Sequence, residues 1–323
     1  MNIKLDMNEI PYPPPKNVIK AAEKGLASLN RYASLEEREL IKKQIAKYSG
    51  IPKKNIIAYP GSDLILREIV HIFSKERKVI MVYPTFFPTY YAAKQFGKEM
   101  TEISLEPPEF NLNTELLFNE LNEPSLVIID NPNNPTGKIL LDKITVETIL
   151  ENTNSILVID EAYYEFTNFS FVHFVKKYPN LAIGRTISKA FGLAGTRIGY
   201  IIGGEIFMDV FSSVSIMLPQ VSLLAAIEAL KNPEYIQKNI EITIKERERV
   251  KRELEEIGIQ VYPSTTNFLL INTNLPDIGP QLIKYGILVF DLSNRWHSGF
   301  IRVTIGTEQE NDIFLSTMKK ILH

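Results

Sequence analysis

From about Asn55 onward, short β-branched apolar runs alternate with longer amphipathic ones: NIIAY precedes SDLILREIVHIF, KVIMVY precedes TFFPTYYAAKQF, EMTEISL follows, and SLVIID leads into VETILEN. The alternation continues through SILVID, FVHFVKKY, NLAIGRT and RIGYIIGG. Several of the strand candidates are apolar at every position rather than at every second one, the pattern of strands covered on both faces. The expected fold is α/β, with a mostly parallel central sheet flanked by helices.

Beyond about Val221 the pattern changes. The run PEYIQKNIEITIKERERVKRELEEIG carries charges at helical spacing and predicts one long helix stopping near Gly258. Strand candidates IQVYP, NFLLINT, ILVF and FIRVTIG then surround helix candidates PDIGPQLIKYG and EQENDIFLSTMKKIL. At the other end, Pro11, Pro13, Pro14 and Pro15 favour an extended arm ahead of the helical run KNVIKAAEKGLASL; by composition alone such a segment reads as a linker. The expected organisation is an N-terminal arm and helix over 1–30, a large domain over 31–225 and a smaller α+β domain over 226–323.

Composition narrows the chemistry. The 323 residues are 45% hydrophobic and 23% charged, the proportions of a globular chain. With 36 basic and 38 acidic side chains there is no cationic excess to hold a nucleic-acid backbone. Zero cysteines remove thiolate metal sites, cysteine nucleophiles and disulfides, and the 4 histidines form no helical ligand pair, so no metal site is expected. No run reaches the ~18 apolar residues that span a bilayer, and the N-terminus lacks a secretory layout, so a cytoplasmic protein is expected.

The strand SILVIDEAY ends in two acids, as the magnesium-binding strand of a nucleotide hydrolase does. That chemistry also needs a G-x-x-x-x-G-K-[ST] phosphate loop, and Gly137-Lys138 lacks both the upstream glycine and the hydroxyl residue. A nucleotide-binding protein without catalysis remains the alternative from another class. No G-x-G-x-x-G follows a strand. Lys189, in TISKAFGLAG just after the strand candidate LAIGR, lies among small and hydroxyl residues. A lysine desolvated there would have a lowered pKa and attack aldehydes to form Schiff bases; on a loop it would be an ordinary surface lysine.

The string TISKAFGLAG resembles the lysine signature of fold type I pyridoxal-phosphate aminotransferases, in the branch containing histidinol-phosphate aminotransferase. NEIPY (Asn8 to Tyr12), NRY (Asn30 to Tyr32), PGSD (Pro60 to Asp63), YPTF (Tyr83 to Phe86), NPNNPTG (Asn131 to Gly137), DEAY (Asp160 to Tyr163), SKAFGLAGTRIG and IRVTIGT (Ile301 to Thr307) occur in the family's order and span nearly the whole chain. The resemblance implies pyridoxal 5'-phosphate as cofactor, with transamination of L-histidinol phosphate against 2-oxoglutarate in histidine biosynthesis. It assigns Lys189 as the Schiff-base lysine and proton carrier, Asp160 as the acid facing the pyridine nitrogen, and Tyr163 and Asn134 as partners of the ring's phenolic oxygen. Gly61, Ser62, Asp63, Thr186, Ser188 and Arg197 would hold the phosphate and Phe86 would stack on the ring. Arg302 would grip the anionic end of the substrate, with Tyr12, Asn8 and Asn267 nearby, and Tyr32 would reach the cofactor phosphate of a partner in a homodimer.

One position departs from that pattern. Histidinol-phosphate enzymes typically carry a second arginine where GILVFD places Phe290, and a benzyl ring cannot pair with a dianion. Either Arg295, in NRWHSG beside Trp296, substitutes, or the far end of the substrate is monoanionic or apolar. The same scaffold therefore also admits an aminotransferase for aromatic or other α-amino acids, or a decarboxylase resembling threonine-phosphate decarboxylase.

Overall fold

The apolar runs form two sheets. The computed structural model of the chain describes residues 3–152, 154–211, 214 and 216–322. The larger sheet contains β2 (Ile56–Tyr59), β3 (Lys78–Tyr83), β4 (Met100–Ser104), β5 (Ser125–Asp130), β6 (Ile156–Asp160), β7 (Leu181–Thr186) and β8 (Gly199–Gly203), in the spatial order β2-β8-β7-β6-β5-β3-β4. Every pairing is parallel except those of β8, which runs antiparallel to both neighbours. In β5, Val127 and Ile129 enter the core on one face while Leu126 and Ile128 enter the core on the other. Burial on both faces is the physical reason these strands read as continuous apolar runs.

Helices α3 (Ser62–Phe73), α4 (Phe87–Phe96) and α6 (Lys143–Glu151) form where the sequence placed them. FVHFVKKY instead forms a short 3-10 segment, Val172–Lys176. A helix not anticipated, α2 (Leu35–Ser49), starts at a reciprocal cap in which the Glu37 amide donates to Ser34 Oγ at 3.1 Å and the Ser34 amide donates to Glu37 Oε2 at 2.7 Å. It ends at Gly50, whose φ of 69° is the left-handed conformation favoured by glycine.

The second sheet holds β9 (Gln260–Val261), β10 (Phe268–Asn272), β11 (Ile287–Asp291) and β12 (Phe300–Thr304), covered by α9 (Tyr235–Glu256), α10 (Ile278–Lys284) and α11 (Glu308–Leu322). The N-terminal arm is not a free linker, because β1 (Ile3–Leu5) pairs in parallel with β11, Ile3 opposite Ile287, and completes this sheet. Helix α1 (Lys16–Leu26) lies instead on α8 (Gln220–Lys231), so closely that a β-carbon on Gly25 would stand 2.7 Å from Val221 Cα. Within the expected 1–30 segment, β1 and α1 thus join different bodies, and α8 runs from Gln220 to Lys231 across the expected 225/226 boundary.

Candidate active site

Parallel α/β sheets leave a crevice beyond the carboxyl ends of their strands. Here β5 and β6 end in Asp130 and Asp160, β7 ends in Thr186, and the segment after β3 carries Thr85 and Phe86. Of these, Asp130, Asp160, Thr186 and Phe86 line a cavity of about 210 Å³ together with Ser62, Asp63, Asn134, Tyr163, Ser188, Lys189, Arg197 and the arm residue Met7. A hollow of about 400 Å³ beside α2 is larger, but aliphatic side chains, Arg38, Lys42 and Lys53 dominate its lining. Only the smaller cavity sets a lysine amine among buried carboxylates.

Lys189 Nζ donates to the Met7 carbonyl at 2.8 Å and lies 5.8 Å from the centre of the Tyr163 ring. Burial, then the neighbouring Arg302 guanidinium, lowers its pKa to about 7, against the opposing pull of Glu9 and Asp160. A substantial fraction is therefore a neutral amine at neutral pH. Asp160 accepts from the Ala162 amide at 3.1 Å, and burial, followed by the charge of Asp130, holds its pKa well above the ordinary carboxylate value. Tyr163 hydroxyl accepts from Asn8 Nδ2 at 2.8 Å, and burial raises its pKa to about 12.

At the other end of the cavity, α3 presents its first turn. Gly61 precedes it at φ 101°, and a β-carbon there would collide with the Asp63 carboxylate and the Arg197 guanidinium. A β-carbon on Gly199 would stand 2.2 Å from the Ser62 amide nitrogen. Backbone amides, the hydroxyls of Ser62, Thr186 and Ser188, and Arg197 together make an anion-binding cup. Thr186 Oγ1 donates to Ser188 Oγ at 2.9 Å and accepts from the Ser188 amide at 3.1 Å. The Asp63 carboxylate accepts from Arg197, so an anion would meet the Asp63 backbone amide, with the side chain aiming the guanidinium.

The remaining expected residues divide. Arg302, 5% exposed, donates through Nη1 to Asn134 Oδ1 at 2.6 Å and through Nη2 to the Asp6 carbonyl at 2.5 Å, while its buried Nε has no partner among the described residues. Asn134 thus spends its oxygen on Arg302 and keeps its amide group for other partners. Asn267 Nδ2 donates to the Asn8 carbonyl at 3.0 Å, and Thr304 Oγ1 accepts from the Asn8 amide at 2.9 Å, so both asparagines pin the arm to the second sheet. Tyr12 does not line the cavity; its carbonyl lies near Gly192. Tyr32 also lies outside it, 83% exposed.

Two features escaped the sequence reading. Asp130 was legible in principle, since SLVIID ends in an acid just as ILVID does. The other is a buried ion pair: Arg185 donates to Glu161 Oε2 from Nε at 3.0 Å and from Nη2 at 2.8 Å, with its guanidinium 3.5 Å from the centre of the Tyr164 ring. Glu161 directly follows Asp160 and Arg185 directly precedes Thr186 in the chain, so the pair ties together the backbone beside two cavity residues. Among the described residues, no group of 3 or more His, Cys, Asp or Glu could hold a metal ion.

The donor set fits pyridoxal phosphate: an amine for the aldehyde, a buried acid for the heterocycle, a phenol, and an anion cup whose walls close in at Gly61 and Gly199 where a β-carbon would collide. A lysine and an acid at the carboxyl edge of a mostly parallel sheet, with a second sheet beside it, define a pyridoxal-phosphate enzyme of fold type I. The family model for aminotransferase class I and II matches residues 1–318, and the chain belongs to that family of transaminases. It is 34% identical to histidinol-phosphate aminotransferase of Sulfurisphaera tokodaii over 99% of this chain and 90% of the relative. The solved histidinol-phosphate aminotransferase of Clostridium acetobutylicum superposes with a TM-score of 0.89 at 26% identity, covering 99% of both chains. The Sinorhizobium meliloti enzyme, solved in complex with pyridoxal-5'-phosphate, has the same fold at a TM-score of 0.89 and 23% identity, covering 100% of this chain and 91% of that one.

Proposed function

We propose that this transaminase interconverts L-histidinol phosphate and 2-oxoglutarate with imidazole-acetol phosphate and glutamate, in histidine biosynthesis. The observation that carries the reading is the near-complete match to the S. tokodaii relative of that name at 34% identity. Pyridoxal phosphate, when bound, supplies the aldehyde that takes the amino group and an electron-withdrawing ring.

The chain's own groups divide the remaining work. Lys189, held amine-rich by burial and Arg302, is the nucleophile and then the base that carries the proton at the substrate Cα. Asp160, deeply buried, serves the pyridine nitrogen, while Tyr163 and the free amide of Asn134 serve the phenolic oxygen. Arg197, Thr186, Ser188 and the amides of Gly61, Ser62 and Asp63 hold the cofactor phosphate, and Phe86 stacks on the ring. Arg302 meets the anionic end of the substrate, backed by Asn8, Asn267 and the arm; Tyr12 would require a shift of the arm to join them.

The active unit in this proposal is a homodimer in which Tyr32 enters the neighbouring site. Support comes from the exposure of Tyr32 beside Leu29 and Leu35, at 83%, 73% and 66%. An apolar cluster at the surface is stabilised by cover, and a two-fold contact supplies it. The arm links the two sheets, and the enzyme in this proposal works in the cytoplasm.

A second reading has its own observation. The Phe290 ring lies 4.4 Å from the Arg302 guanidinium and 6.0 Å from the Phe87 ring, a surface suited to an aromatic donor. The deciding experiment offers histidinol phosphate, phenylalanine, glutamate and threonine phosphate separately to the holoenzyme and follows conversion of the bound cofactor to its amine form. Fast conversion by histidinol phosphate supports the first reading; preference for phenylalanine replaces it with the second. Carbon dioxide release from threonine phosphate would overturn both.

A further inference from the structure

Two aspartates stand side by side at the carboxyl edge of the central sheet. Strands β5 and β6 are parallel and in register, with Asp130 opposite Asp160, and paired strands lie about 4.8 Å apart. Both residues are buried, at 3% and 5% exposure, and both line the cavity. Burial and like charge together oppose ionisation of both carboxyls, so the pair shares its protons.

The hydrogen-bond donors are divided unequally between them. Asp130 accepts from Thr85 Oγ1, which is 2.9 Å from each of its oxygens, and from the Phe86 amide at 2.7 Å. Among the described residues, Asp160 accepts from the Ala162 amide alone, at 3.1 Å. Donors stabilise the ionised form, so the charge belongs on Asp130 and the proton on Asp160. Lys189 and Glu161 act on Asp160, both aspartates act on Tyr163, and Asp63 and Arg197 line the same cavity, while Arg302 and Glu9 act on Lys189. None of them donates a hydrogen bond to either aspartate. The separate pKa directions of the pair agree: burial raises Asp130 against the pull of its donors, and it raises Asp160 with the charge of Asp130 acting in the same direction.

We propose that Asp130 is a positioning residue for Asp160: its charge, fixed by Thr85 and the Phe86 amide, raises the proton affinity of Asp160 and of any heterocyclic nitrogen set against it. The inference rests on the reading that Asp160 faces the pyridine nitrogen. Through the same two contacts Asp130 also holds the backbone of Phe86, whose ring lines the cavity.

The test reconstitutes wild type, Asp130→Asn, Thr85→Val and Asp160→Asn with pyridoxal phosphate carrying the heavy nitrogen isotope in the ring, and follows the ring nitrogen resonance with pH. In Asp130→Asn the nitrogen should lose its proton about one pH unit or more below wild type, a tenfold weaker hold. Thr85→Val removes one donor from Asp130 and should shift the midpoint the same way by less. A midpoint unchanged in Asp130→Asn overturns the proposal, because a role confined to bracing Phe86 would leave it in place. If that variant does not retain the cofactor, an unchanged midpoint in Thr85→Val overturns it instead. Asp160→Asn separates the two layers: a nitrogen still protonated as in wild type refutes the underlying reading of Asp160 itself.

Discussion

The ε-amine of Lys189 donates a 2.8 Å hydrogen bond to the backbone carbonyl of Met7, 182 positions earlier in the chain. The arm that supplies this carbonyl is anchored in the second sheet through β1 and is tied to the cavity through Asn8 and Tyr163. Asn8 holds a φ of 54°, which asparagine tolerates better than most residues, and there its amide, carbonyl and side chain are all engaged. The contact gives the amine a neutral partner, which leaves its basicity to burial and the surrounding charges, Arg302 foremost.

Replacing Lys189 with alanine should abolish turnover and the visible absorbance of the lysine-linked cofactor. Absorbance spectroscopy and a donor assay on the purified variant check this; turnover at the wild-type rate would remove Lys189 from the reaction.

Asp160→Asn should bind the cofactor but lose about two to four orders of magnitude in rate, the range for removal of a positioned acid or base. Equilibrium binding with single-turnover kinetics separates the two quantities. A variant as fast as wild type would dismiss the carboxylate.

Arg302→Gln should raise the KM for the amino donor about tenfold to a hundredfold, as loss of charged hydrogen bonds costs roughly 1.5–3 kcal/mol, with much less effect on cofactor affinity. An unchanged KM would take Arg302 out of the substrate site.

Capture of pyridoxal phosphate by the apoenzyme should accelerate as pH rises, with a midpoint near the Lys189 value of about 7, because the ammonium form dominant below it is not a nucleophile. Arg302 depresses that value, so Arg302→Gln should move the midpoint upward. Stopped-flow absorbance across pH measures both; a flat profile through neutrality would contradict the assignment.

Glu161→Gln leaves Arg185, only 2% exposed, without its counter-charge and should destabilise the fold by about 3–5 kcal/mol. Denaturant titration reads the loss, and pairing it with Arg185→Met should recover part of it, since the uncompensated charge is then removed.

The elements that carry the site were legible because their signals are local. SDLILREIVHIF became α3 from Ser62 to Phe73, and the runs SLVIID and ILVID became fully buried strands ending in acids. Helix α2 was missed although its Ser34 and Glu37 cap was in plain view, because a polar helix shows weak apolar periodicity. The arm was misjudged for a different reason: proline content reports stiffness, and says nothing of the sheet edge against which a three-residue strand comes to rest.

Composition, periodicity and motif order determined by themselves the α/β class, the mostly parallel sheet and the lysine proposed as the nucleophile, since each depends on neighbours in sequence. Only the folded chain decided that Asp63 turns to Arg197, that Arg302 reaches Asn134 and the Asp6 carbonyl, and that Asp130 stands beside Asp160. Those relationships come from strand register and from segments brought together across the chain, and they set the charge states on which the chemistry depends: proton affinity follows burial and nearby charge, which a linear sequence does not contain.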